Sequence, residues 1–188
     1  TPLVLVVNPK LPVKNAKDFV AYVNSSREAV PYGSAGNGNI THMAAELFIQ
    51  NTGLTNLRHI PYKGSSQVLT DLLGGHVAAY FDTLPSSMPY IQNGQLRALG
   101  VSSRERAPSA PDIPTLDEAG ITGYNTTTWF GLFAPPKLNA QVVQTLNDAT
   151  RKSFDSADAR KSLTARGVEP ILNLPDQFKS EIEAELGR

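Results

Sequence analysis

Hydrophobic residues along this chain change period several times, and each change marks an element. Leu3, Val4, Leu5, Val6 and Val7 form an unbroken apolar run with β-branched members, which predicts a strand buried on both faces. Asn8-Pro9 and Leu11-Pro12 break the run. Asn15 then offers an N-cap to a helix with Ala16, Phe19, Val20 and Val23 on one side. A short strand over 31–33 leads through a glycine-rich loop into a helix over about 41–50. Its inner face is expected to hold Met43, Ala44, Leu47 and Phe48, and Asn51-Thr52-Gly53 stops it. Residues 57–62 read as a strand. Ser65 or Ser66 would cap the next helix, which bears Val68, Leu69, Leu72 and Leu73 and ends at Gly74-Gly75. A buried strand over 77–82, a short helix over 88–92 and a strand over 96–101 complete the series. Strands alternating with helices predict βαβ units around a mostly parallel sheet.

Past residue 101 the pattern loosens. Pro108, Pro111 and Pro114 among mixed charges mark an exposed connection and a boundary. Thr115-Leu116-Asp117-Glu118 predicts a short helix ended by Gly120, and the apolar run 128–134 predicts a strand stopped by Pro135-Pro136. Asn139 heads a helix with Val142, Val143, Leu146 and Ala149 on one face, and two more helices are expected over 158–166 and 176–186.

The glycine-rich stretch carries the chemistry. Gly33, Gly36 and Gly38 let the backbone turn tightly and approach a ligand closely. The first amides of the following helix lack intrahelical partners, so a helix start here is a ready anion site. Ser34, Asn37, Asn39 and Thr41 add neutral donors. The spacing is G-x-x-G-x-G with no following Gly-Lys-Ser/Thr, which meets neither the dinucleotide fingerprint nor the P-loop. A polar turn with an ordinary N-cap would have the same residues.

Charge sharpens this reading. Lys plus Arg is 17 and Asp plus Glu is 17, so the chain lacks the basic excess of a nucleic-acid partner. Cys is 0, which excludes disulfides, thiolate nucleophiles and cysteine metal sites. His42 and Glu46 make an i, i+4 pair, but no third ligand is evident and His59 and His76 are scattered, so no metal is expected. No cofactor motif is present either. Gly-x-Ser-x-Gly and His-Glu-x-x-His are both absent. Thr1–Val7 has neither the basic start nor the cleavage site of a signal peptide, and a chain opening in mid-strand is expected to be a fragment.

The run Tyr32-Gly33-Ser34-Ala35-Gly36-Asn37-Gly38-Asn39-Ile40-Thr41-His42-Met43-Ala44-Ala45-Glu46-Leu47-Phe48 resembles the glycine-rich signature of the Bug-type substrate-binding proteins. These are periplasmic receptors of tripartite tricarboxylate transporters. Pro61-Tyr62-Lys63-Gly64-Ser65, Asp71-Leu72-Leu73-Gly74-Gly75-His76-Val77, Gly94-Gln95-Leu96-Arg97-Ala98-Leu99-Gly100-Val101 and Thr128-Trp129-Phe130-Gly131-Leu132-Phe133-Ala134-Pro135 agree with the same family, in order. The resemblance implies an α/β, periplasmic-binding-protein-like (type II) fold whose two lobes close over a small organic carboxylate. Residues 8–99 would form the second, inserted lobe, and 1–7 with 100–188 the crossover strands and C-terminal part of an incomplete first lobe. The family's Pro-x-x-x-Gly-Gly loop has no match in this sequence.

The expected ligand contacts are Ser34, Ala35, Gly36, Asn37, Gly38, Asn39 and Thr41, with Gly64 and Ser65 as a second cradle at a strand-to-helix junction. Thr41 is also the expected helix cap. Asp82, at the end of an apolar strand on the same edge, would meet a ligand amine or hydroxyl or order a neighbouring loop. Trp129 and Phe130 would wall the pocket or fill the core. The partners implied are the carboxylate and the transporter's membrane permease, and an incomplete lobe could promote dimerisation through exposed apolar surface. Two other readings stand beside the receptor: a ligand-sensing module for a signalling partner, and an α/β hydrolase or transferase with the loop as an oxyanion hole.

Overall fold

The computed structural model describes residues 1–186, in two compact units, Thr1–Trp129 and a second from Phe130 onward. The first unit is a five-stranded sheet with helices on both faces. Its elements are β1 (Leu3–Val7), α1 (Ala16–Ser25), β2 (Val30–Ser34), α2 (Ile40–Thr52), β3 (Leu57–Pro61), α3 (Ser65–Gly74), β4 (Ala79–Thr83), α4 (Leu84–Gln92) and β5 (Arg97–Val101).

The strand order is β3-β2-β4-β1-β5. β2 runs parallel to β3 and β4, whereas β1 is antiparallel to both β4 and β5. Four strands therefore share one direction and β1 is inserted among them the other way. The mostly parallel sheet expected from the alternation of elements is corrected to a mixed one. Element order cannot reveal this, because β1 is joined to β2 through a helix and yet pairs with strands far downstream.

β1 is apolar throughout because it is covered on both sides. Leu3, Leu5 and Val7 pack with Phe19, Phe48, Phe81, Leu99, Leu116 and Tyr124 under α1 and α2. Val4 and Val6 pack with Val68, Leu72, Tyr80, Leu84 and Val101 under α3 and α4. The chain after β5 stays in this unit: Ser102 Oγ donates to the Thr126 carbonyl, and Tyr124 O–H donates to the Ala44 carbonyl at 2.7 Å. Residues 115–120 form turns rather than the expected helix. Thr115 and Glu118 cap one another there, and Leu116 and Ile121 are buried.

The second unit contains α5 (Ala140–Phe154), α6 (Ala157–Ala165) and α7 (Pro175–Leu186). The strand expected over 128–134 does not form. Its start is tied to the first residues, by a bridge between Pro2 and Thr127 and paired backbone bonds between Thr1 and Thr128, and among the described residues no strand is assigned alongside the rest. Its side chains lie open instead, with Phe130 80 % and Leu132 70 % exposed. Among the described residues of this unit none is fully buried, and the apolar face of α5 leaves Val142 and Leu146 exposed.

Candidate functional site

β2, β3 and β4 are parallel, so their C-terminal ends share one edge of the sheet, and α2, α3 and α4 all begin there. The chain connections leaving β2 and β4 diverge in opposite directions, since β2 leads to β3 on one side and β4 leads to β5 on the other. Such a switch point is where open α/β sheets hold ligands. Ser34 ends β2, the glycine loop follows it, and the β3–α3 turn lies alongside: Tyr62 N–H donates to the Ser34 carbonyl at 2.9 Å. A side chain on Gly36, whose φ is +140°, would come within 3.5 Å of the Tyr62 carbonyl. That distance is an ordinary contact, so it is the positive φ that favours glycine there.

Most donors of this loop are already committed. Ala35 N–H donates to Thr41 Oγ1, Gly36 N–H to Ser34 Oγ and Gly38 N–H to His42 Nδ1. Asn39 N–H reaches the Gly36 carbonyl. Asn39 is the true N-cap, accepting from Thr41 N–H through its side chain. This corrects the expectation that Thr41 caps the helix; Thr41 is buried and ties the loop down instead. The N–H groups of Asn37 and Ile40 have no acceptor among the described residues. On the other side, α3 starts at an N-cap, Gly64, that supplies no side-chain hydrogen bond. Ser65 and Ser66 are not caps. Ser65 Oγ lies 2.7 Å from Tyr80 Oη, and the amides of Gly64, Ser65 and Ser66 are left without acceptors among the described residues. A helix start with unsatisfied amides favours negative charge.

Asp82 lies deeper, fully buried on the α3/α4 side of β4. Ser87 Oγ donates to its Oδ2 at 2.8 Å, and Oδ1 has no partner among the described residues. Burial pushes the carboxyl above its ordinary value of 3.8, against the hydroxyls of Ser87, Ser86 and Ser65 and the Thr83 amide. Between 3.8 and this raised value the folded chain binds more protons than the unfolded one, so stability falls as pH rises through that window. Asp82→Asn is expected to remove that slope, up to about 1.4 kcal/mol per pH unit. Thermal unfolding from pH 3 to pH 8 checks it, and an unchanged profile in the variant would reject the assignment.

His59, which the sequence left scattered, meets His42 of the i, i+4 pair at this site. His42 and His59 stack with ring centroids 4.0 Å apart and planes 5° from parallel, and Tyr32 also stacks with His59, at 5.1 Å. Ser34 Oγ is 2.6 Å from His59 Nε2. The two residues lie on neighbouring parallel strands, a separation along the chain that carries no local signal. Met43, expected inside, is 54 % exposed, and Ala45 takes its place in the core. A concavity of about 640 Å³ opens at the opposite edge of the sheet around Asn8, Tyr22, Arg27 and Gly75. It has no part in this arrangement.

A family model for the tripartite tricarboxylate transporter receptor, TctC, matches residues 1–188. The chain belongs to this receptor family. BugT of Bordetella pertussis is 33 % identical over 100 % of this chain, which covers 57 % of BugT. A Cupriavidus necator protein, described as the UPF0065 protein in the gbd 5' region, is 38 % identical over 93 % of this chain and 52 % of its own length. The chain thus spans about half the length of the curated relatives it matches. Among solved structures, R. palustris Rpa4515 with adipate superposes with a TM-score of 0.94 at 34 % identity, covering 100 % of this chain and 62 % of that one. MatC from Rhodopseudomonas palustris with bound malate gives 0.83 at 29 % identity, covering 98 % and 62 %. The family and these folds fit the α/β periplasmic-binding-protein class, of which this TctC chain holds about 60 %.

Proposed function

We propose that this TctC chain is the ligand-gripping part of an extracytoplasmic solute receptor. It binds a small organic carboxylate and delivers it, in the periplasm, to a tripartite tricarboxylate-type membrane transporter. One observation carries the reading: the uncommitted amides of Asn37 and Ile40 at α2, and of Gly64, Ser65 and Ser66 at α3, flank the Ser34 end of β2. Neutral donors suit a receptor that must release its cargo, since they bury no lysine or arginine against it. The proposed contacts are the segment Ser34 to Asn39, Thr41, Gly64 and Ser65, with Asp82 beneath them as a buried support. Residues 8–99 act as the inserted lobe.

Magnitudes set the experiment. A hydrogen bond contributes about 1 kcal/mol net, so these few amides alone give affinity of roughly millimolar order. Titration with adipate, malate and other small acids, followed by amide NMR, is expected to shift the 35–41 and 64–66 resonances together and saturably. No saturable shift with any acid in a broad panel would overturn the reading.

The 2.6 Å contact of Ser34 Oγ with His59 Nε2 favours a second reading, acyl transfer. Against it, Ser34 is fully buried and its hydroxyl is also engaged by both the amide and the carbonyl of Gly36. A receptor returns its acid chemically unchanged, and hydrolysis of a small ester with loss on Ser34→Ala would support the enzyme instead.

A further inference from the structure

Three of the four ring nitrogens of the His42–His59 stack are attached to the glycine loop or its supports. His42 Nδ1 accepts from Gly38 N–H at 3.1 Å, which requires that nitrogen to be bare and puts the ring proton on Nε2, 3.4 Å from Glu46 Oε1. Tyr32 O–H donates to the same carboxylate oxygen at 2.6 Å. His59 reaches Ser34 Oγ, which in turn accepts from Gly36 N–H. One ring therefore holds the far end of the loop, the other holds its base, and the stack joins them. Asn37 lies between the two, and Ile40 follows two residues past Gly38.

We propose that His42 and His59, both neutral, are positioning residues that clamp the glycine loop, and that protonation of His42 releases it. A proton on Nδ1 turns the acceptor of Gly38 into a donor facing an N–H, so that bond cannot survive. The Ser34–His59 contact behaves differently, because the hydroxyl can reverse and accept from a protonated ring while donating to the Gly36 carbonyl at 3.2 Å. Loss of grip thus begins at Gly38 and not at Ser34. The groups facing the stack are Tyr32 from β2 and Glu46 from α2, and the two rings face each other across the β3–α2 contact. Burial holds His59 below its usual 6.5, and a positive charge on His42 would lower it further. That direction is the one expected of a ring kept neutral in a clamp.

The clamp is a property of the free chain, and only its benefit to a bound acid rests on the receptor reading. Ring-nitrogen and amide NMR from pH 8 to pH 5 tests it without ligand. The Gly38 amide is expected to move with the His42 ring, with one midpoint for both, and its protection from exchange to fall by about tenfold, the loss of one hydrogen bond. His42→Asn, whose Oδ1 stands where Nδ1 was, is expected to keep Gly38 protected at every pH and to raise the His59 midpoint. His42→Ala is expected to leave Gly38 unprotected throughout. A Gly38 amide indifferent to the His42 ring, or protected equally in His42→Ala, would overturn the proposal. If the clamp signature holds while no acid shifts the loop, the receptor reading fails and the clamp stands.

Discussion

Replacing Phe48 with alanine is expected to cost about 3–5 kcal/mol of unfolding free energy. Phe48 is 1 % exposed on α2. Its ring centroid lies 5.7 Å from Phe81, 6.2 Å from Tyr124 and 6.3 Å from Phe19, so one side chain joins α1, α2, the middle of the sheet and the segment after β5. Truncation would remove the transfer energy of a large ring and leave a void bounded by strands that cannot close on it. Against a total stability of about 5–15 kcal/mol, that is a large share. Urea unfolding followed by circular dichroism should show a lower midpoint at unchanged slope. Phe48→Leu, which fills most of the space, should lose much less. A loss under about 1 kcal/mol for alanine would mean that α2 is not seated on this cluster.

Gly33→Val is the second large effect, about 3 kcal/mol at the upper end of what overpacking costs. A Cβ at position 33 would sit 2.3 Å from Val68 Cγ1 and 3.5 Å from Tyr62 Cε2. Val68 is completely buried, and a β-branched side chain on a helix has one strongly preferred rotamer, so it cannot swing away. The helix itself must move. Valine is otherwise a better strand residue than glycine, so the sign of the result is informative: stabilisation would show that α3 does not approach β2 this closely. Adding Val68→Ala should recover part of the loss, and the double-mutant cycle measures how much. Because α3 carries the Gly64–Ser66 amides, the variant should also weaken any acid-induced shifts in the loop.

Where local physics decided the outcome, the sequence was informative. Asn15 and Asn139 cap the helices they precede, Gly53 and Gly75 end theirs in the left-handed conformation, and Leu3–Val7 is buried on both faces. Elsewhere a distant partner decided. Thr41 looked like a cap until Asn39 took the role and left its hydroxyl for Ala35. Ser65 likewise faces Tyr80 instead of capping α3. Residues 128–134 have strand composition, but a strand exists only when a neighbour offers its ladder. The loop's chemistry was legible in residue type, as glycines and small donors before a helix. Which amides remain free was not legible, since that depends on His42, Thr41 and Ser34 absorbing the others.

The reversed strand in the middle of the sheet has a consequence for how the chain acquires its shape. Leu3 must find Thr83, and Val4 must find Val101, before either face of β1 is covered. Closing such long loops costs entropy before any contact rewards it, which makes folding slow relative to a chain of local pairings. During synthesis, β2 and β3 with their helices can pair as soon as they emerge, whereas β1 waits for β4 and then β5. Until then its five apolar residues are a naked template for aggregation, and a chaperone that holds this strand would be acting at the step that limits assembly.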